Sequence, residues 1–177
     1  MEEMKYRTIV PRFCACFVDM CVFIPLTVFM NWIWAHYQDI PLMVVILVYI
    51  LSTASYYLYS IYFLGKYGQT PGKMLLKIKV FDISEMSHIT YYQALKRDIV
   101  PLVATLIQLP FSIYQIINGT YISINPHIQF DTYNLILLGC MLFVAFTWFA
   151  LDILTAVFSS KHRAIHDFIA GSVVVKV

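Results

Sequence analysis

Asp19 and Asp152 each stand inside a long apolar run. A charged side chain at the centre of such a run costs about 2.5–3.5 kcal/mol on membrane-insertion scales, and less nearer the interface, so each marks a candidate site. Arg12 precedes Asp19 by seven residues, which on an ideal helix returns both to one face with a depth difference of about 10 Å. Arg12 at the interface can then point toward Asp19. Asp152 falls near the far end of the last apolar run, at about the depth of Asp19 by the same rise per residue. Two carboxylates together in low dielectric do not both ionise cheaply: one holds a proton, or they share a cation. That is the chemistry of a proton- or sodium-coupled carrier. The architectural alternative pairs each carboxylate with Arg12, Lys73 or Arg97 and fixes helices that have little hydrophobic drive to associate.

The tail offers weaker chemistry. His162 and His166 are four apart and would share a helix face, with Asp167 adjacent, but with no third ligand neither a metal nor another cofactor is expected. Asp167, just before Phe168-Ile169-Ala170-Gly171, suits the cap of a short helical turn or a pairing with Arg12 at the membrane surface. The segment Gly68-Gln69-Thr70-Pro71-Gly72-Lys73 lacks the spacing of a Walker motif; its glycines and proline suit tight turning near lipid phosphates, with Lys73 at the headgroups. No serine or cysteine lies in a recognisable nucleophile motif, so the chain does not read as an enzyme. Cys14, Cys16, Cys21 and Cys140 lie in apolar stretches and read as free thiols.

These residues need helices in lipid to position them. A chain 60% hydrophobic and 12% charged is outside the range of ordinary soluble domains, which makes the lipid bilayer its first partner. A formal charge of +2 gives no case for nucleic acid. The expected architecture is a single all-α membrane domain over residues 1–177 with spans at about 13–35, 42–64, 99–117 and 133–158. Glu2, Glu3 and Asp19 do not fit a cleavable signal peptide, so the first span is expected to stay. Lys77-Ile78-Lys79-Val80 alternates as a half-exposed strand does, so a short cytoplasmic strand-like segment is expected between helices 2 and 3. Thr90-Tyr91-Tyr92-Gln93 matches a capping box and predicts a helix start. The run it leads into is the weakest span, interrupted by Pro101, Gln108, Pro110 and Gln115, and reads on hydropathy as either spanning or kinked and interfacial. Charge argues for spanning. All twelve basic residues fall in the leader, the middle segment or the tail; four spans put these three regions on one side, which the positive-inside rule makes the cytoplasm. Both termini are then inside, in a multi-pass protein of a bacterial inner or plasma membrane.

In order along the chain, Pro11-Arg12-Phe13 with Asp19 beyond it, then Gly68-Gln69-Thr70-Pro71-Gly72-Lys73, then His166-Asp167 followed by Ala170-Gly171-Ser172-Val173-Val174-Val175, resemble the RDD family of small membrane proteins. The family is named for one arginine and two aspartates. The resemblance implies a triad of Arg12, Asp19 and Asp167, which does not include Asp152 and so shifts weight from the paired carboxylates to that cluster; Asp152, Lys73, Arg97 and His166 stay auxiliary candidates on the reading of the charges themselves, and Ser172 stands where many relatives carry threonine. For function it implies transport of an ion or small solute, with cation/proton exchange at Asp19, or a non-catalytic accessory or regulatory role in which the triad is a structural clamp. So small a carrier would need a homodimer or a partner membrane protein to build a pathway. Either activity is expected in or beside the cytoplasmic leaflet.

Overall fold

The computed structural model describes residues 5–119 and 132–177, the side chains of 132–138 excepted. The polar loop expected at 118–131 lies outside the described residues from 120 onward. Helix α1 (Ile9–Val22) passes through Phe23 into α2 (Ile24–Ala35), and the two axes diverge by 49°. The run expected as the first span is therefore broken rather than straight. Pro25, the second residue of α2, has no N–H to offer the carbonyl one turn back, which is the physical cause of such a bend.

Helix α3 (Leu42–Tyr67) runs three residues beyond the expected span and stops at Gly68. There the backbone turns left-handed at φ +69° and the Gly68 N–H closes on the Leu64 carbonyl, a conformation that glycine adopts without steric cost. Thr70 is extended, and Pro71 opens the single-turn helix α4 (Pro71–Leu75), where a missing N–H costs nothing. Strand β1 (Ile78–Asp82) follows. Helix α5 (Tyr91–Ile117) starts at the Thr90–Gln93 capping box, with the Gln93 N–H on the Thr90 hydroxyl and the Thr90 N–H on the Gln93 amide oxygen. It is continuous through Pro101 and Pro110, not interrupted. The Pro101 carbonyl accepts from the Tyr57 hydroxyl of α3 at 3.0 Å and from the Thr105 hydroxyl at 2.9 Å, so the proline turn is tied to its neighbour.

Helix α6 (Thr132–Phe158) leads to the short α7 (Ile165–Ala170) and to strand β2 (Ser172–Lys176). The last strand was not anticipated. It pairs antiparallel with β1, Val80 opposite Val174 and Asp82 opposite Ser172. Ile78, Val80 and Val174 are fully buried and join Ala15, Leu64, Ile89 and Ala94 in one apolar core. The strand-like middle segment and the tail are thus one cap, closed over the start of α1, the end of α3 and the start of α5. Among the described residues, three helices are long and apolar enough to cross a membrane, four if α1 and α2 form one bent span.

Candidate functional site

Asp167 stands at the third position of α7, where its Oδ2 accepts the Ala164 N–H at 3.2 Å and so caps the helix start. The same oxygen accepts from Arg12 Nη1 of α1 at 2.6 Å. The other oxygen meets Arg97 Nη1 of α5 at 2.7 Å and the Ser172 hydroxyl of β2 at 3.2 Å. Asp167 is 0% exposed, and one carboxylate thereby joins α1, α5, α7 and β2. Burial pushes its carboxyl up, but Arg97 and Arg12, helped by His166 and the Ala164 N–H, outweigh burial and hold it well below the usual carboxylate range.

Asp19, two turns beyond Arg12 on α1, is held by other groups. Its Oδ1 accepts the Tyr59 hydroxyl at 2.7 Å and the Gly72 N–H at 2.8 Å, and its Oδ2 accepts the Thr70 hydroxyl at 2.6 Å. The carboxylate thus sits on the first turn of α4, whose free N–H groups favour a negative charge. Gly72 permits the approach: a Cβ there would collide with the Ala15 carbonyl and lie 2.9 Å from the Asp19 carboxylate. The expected Arg12–Asp19 approach does not occur, since Arg12 turns instead to Asp167 and, through Nε, to the Thr8 hydroxyl at 3.1 Å. A guanidinium gains more from a fully buried carboxylate than from one already satisfied by three neutral donors.

Asp152 is not a neighbour of Asp19 in any bonded sense. It takes His166, with Nδ1 at 2.7 Å from Oδ2 and the His166 N–H at 3.3 Å from Oδ1, so the shared-cation reading of the two carboxylates is replaced by two separately partnered ones. His166 Nε2 also lies 3.6 Å from Asp167. His162 does not share a helix with His166: it lies in the turn before α7 with φ +48°, its Nδ1 at the Ala156 carbonyl. Lys73 is not at the surface either. The turn of α4 directs it inward, half-buried, and burial followed by the nearby Arg97 charge lowers its ammonium to about 8.

Lys73, Arg12, Arg97, Asp98, Asp152 and His166 line the polar end of a cavity of about 310 Å³, whose other walls include Phe13, Tyr56, Pro101, Trp148 and Phe149. Among the described residues, Arg12 Nη2 and Asp98 Oδ2 are buried without a hydrogen-bond partner. The arrangement can hold an ion or a small charged group. Asp98 and Tyr59 were not singled out from sequence; Thr70 and Gly72 were noted only as part of the turning segment Gly68–Lys73, with no contact to Asp19 expected. Asp98 carries a readable signal, since it extends the Lys96-Arg97 charge cluster into the start of an apolar run.

The family model described as RDD family matches residues 6–171, nearly the whole chain. The chain belongs to the RDD family. Comparison with curated proteins and with solved structures gives no match. In this RDD protein the arginine and two aspartates carried over from the family's motifs occupy two clusters, Arg12 with Asp167 and Asp19 with the α4 turn. Both brace the cap, one through the tail and one through the middle segment.

Proposed function

We propose that this RDD-family chain is a four-span protein of a cell membrane, with the termini and the two-stranded cap on the cytoplasmic side, in which Arg12, Asp19 and Asp167 form an architectural clamp. The observation that carries this reading is the complete engagement of both aspartates: Asp167 is enclosed by two guanidinium groups, a hydroxyl and an N–H, and Asp19 accepts from three neutral donors. A carboxylate that binds and releases a cation needs an open coordination position; the fully enclosed Asp167 has none, and on Asp19 three donors already compete with a cation. The clamp closes the cap over the charged cavity, and the activity belongs to that cavity.

A second reading has its own support. Asp152 and His166, in contact at the cavity wall, are a proton donor–acceptor pair of the kind that couples ion or solute exchange to protons. A second copy or another membrane protein would complete the pathway. The two readings separate in reconstituted vesicles carrying a pH gradient. Under the clamp reading, Asp19→Asn lowers folded yield and thermal stability. If Asp19→Asn folds as wild type yet abolishes dissipation of the gradient by sodium, lithium or potassium, Asp19 is the ion site and the clamp reading fails. If no cation dissipates the gradient, exchange is excluded and the accessory role stands.

A further inference from the structure

The cavity contains charged groups that the clamp leaves without partners, on both sides of the charge ledger. Arg12, which lines the cavity, uses Nη1 and Nε on Asp167 and Thr8, while its Nη2 is buried without a partner. Lys73 makes no ion pair within 4 Å among the described residues, although Asp19 and Asp98 are close enough to act on its charge. Asp98 lines the same cavity, and its Oδ2 is a buried acceptor without a donor. Leaving such groups unsatisfied is costly, and each points to a complement. A volume of about 310 Å³ is roughly ten times the share of one water molecule, about 30 Å³, so a single bridging water does not fill it.

The walls say what kind of molecule does. Beyond its charged end the cavity runs between Phe13, Tyr56, Pro101, Trp148 and Phe149, on helices α1, α3, α5 and α6. Phe13 and Phe149 meet edge-to-face at 5.8 Å, and Phe149, itself a wall residue, is 52% exposed. The aromatic wall of the cavity therefore reaches the surface that the apolar helices present to lipid. An occupant that satisfies both ends carries an anion for Arg12 and Lys73, a hydrogen-bond-donating cation for Asp98, and an apolar tail.

We infer that the cavity is a binding site for an aminophospholipid, with the phosphate on Arg12 Nη2 and Lys73, the primary ammonium on Asp98, and the acyl chains leaving past Phe13 and Phe149. The inference rests on the membrane placement of the helices and not on any transport activity. A quaternary ammonium has no N–H to give Asp98, and a glycerol headgroup brings no cation, so the site discriminates among phospholipids of identical chains.

The test uses the full chain purified in mild detergent. Mass spectrometry of retained lipid should show the primary-amine phospholipid enriched over its share of the membrane. After delipidation, binding read by tryptophan fluorescence should be about tenfold or more tighter for phosphatidylethanolamine than for phosphatidylcholine or phosphatidylglycerol, the loss expected for one charged hydrogen bond. Lys73→Met should weaken all three by about tenfold, and Asp98→Asn should remove the preference for the primary amine. Lys66→Gln, on the surface, should change nothing. Equal binding of the three lipids by the wild-type chain overturns the assignment without recourse to any variant. O-phosphoethanolamine competing at the same concentration as the lipid would overturn the lipid source in favour of a soluble aminophosphate.

Discussion

Replacing Asp167 by Asn tests the clamp where it is most concentrated. The substitution keeps the shape and one carbonyl-type acceptor but removes the charge between Arg12 and Arg97, whose side chains are 14% and 6% exposed around a fully enclosed partner. The amide can accept from one guanidinium at most, and its NH₂ then faces the other or the Ala164 N–H as a second donor. At least one buried cation is left without its counter-charge. Breaking a buried pair from one side costs about 3–5 kcal/mol, which for a chain of this size is a fall in unfolding temperature on the order of 10 °C. The loss should appear first in the tail, because α7 and β2 hang on this carboxylate. Limited proteolysis should therefore cut within 159–177 in Asp167→Asn under conditions where the wild-type chain is intact, and thermal unfolding in detergent should show the shift. Removing both partners with apolar groups, Asp167→Leu with Arg97→Met, should be less damaging than Asp167→Asn with respect to Arg97, since no charge is then stranded opposite it. An Asp167→Asn protein with unchanged midpoint and an uncut tail would refute the reasoning.

The pH dependence follows from the same carboxyl. Its folded value lies below its unfolded one, so its stabilisation is fully present above the unfolded value near 4 and is lost only as pH falls further, through the folded value; tail protection against an acid-stable protease should hold down to about pH 4 and fail below it. Glu85, lowered to about 2 by hydrogen bonds from Lys5, Tyr6 and Lys161, lies toward the surface and should add little, so Glu85→Gln should move the unfolding midpoint far less than Asp167→Asn. Gly72→Ala should destabilise by about 1–3 kcal/mol through overpacking against α1, measured as a lower unfolding midpoint. Gly68→Ala should add strain at its left-handed φ of +69° to a collision of the new Cβ with His88 and the Val80 carbonyl, and should loosen α4 while leaving helix α3 intact by circular dichroism.

How much of this was readable beforehand differs by kind of interaction. Apolar runs longer than a bilayer requires identified the helices, because hydropathy is a property of a continuous segment and needs no partner. The capping box at Thr90 and the proline opening of α4 are likewise local. The bend at Phe23 was available in Pro25 but was hidden by the apolar length of the run around it. Strand β1 could be suspected from alternation; its partner β2 could not, since Ser172–Lys176 is buried along nearly its whole length and carries no alternation to read.

The charged residues divide in the same way. Their cost in an apolar setting marked Asp19 and Asp152 from sequence alone, because desolvation depends only on the residue and its surroundings; Arg12 followed from its spacing to Asp19, and Asp167 from its place before the terminal turn and the family resemblance. Which charge meets which was settled by the tertiary fold. Arg12 and Asp19 share a helix and suit pairing by spacing, yet Arg12 reaches 155 residues along the chain to Asp167, and Asp19 takes the backbone of a turn 53 residues away. Helical periodicity fixes what lies on one face of one helix; ion-pair choice depends on which elements close over that face. Only the docking of the tail strand on the middle strand brings α4 and α7 over α1 and decides it.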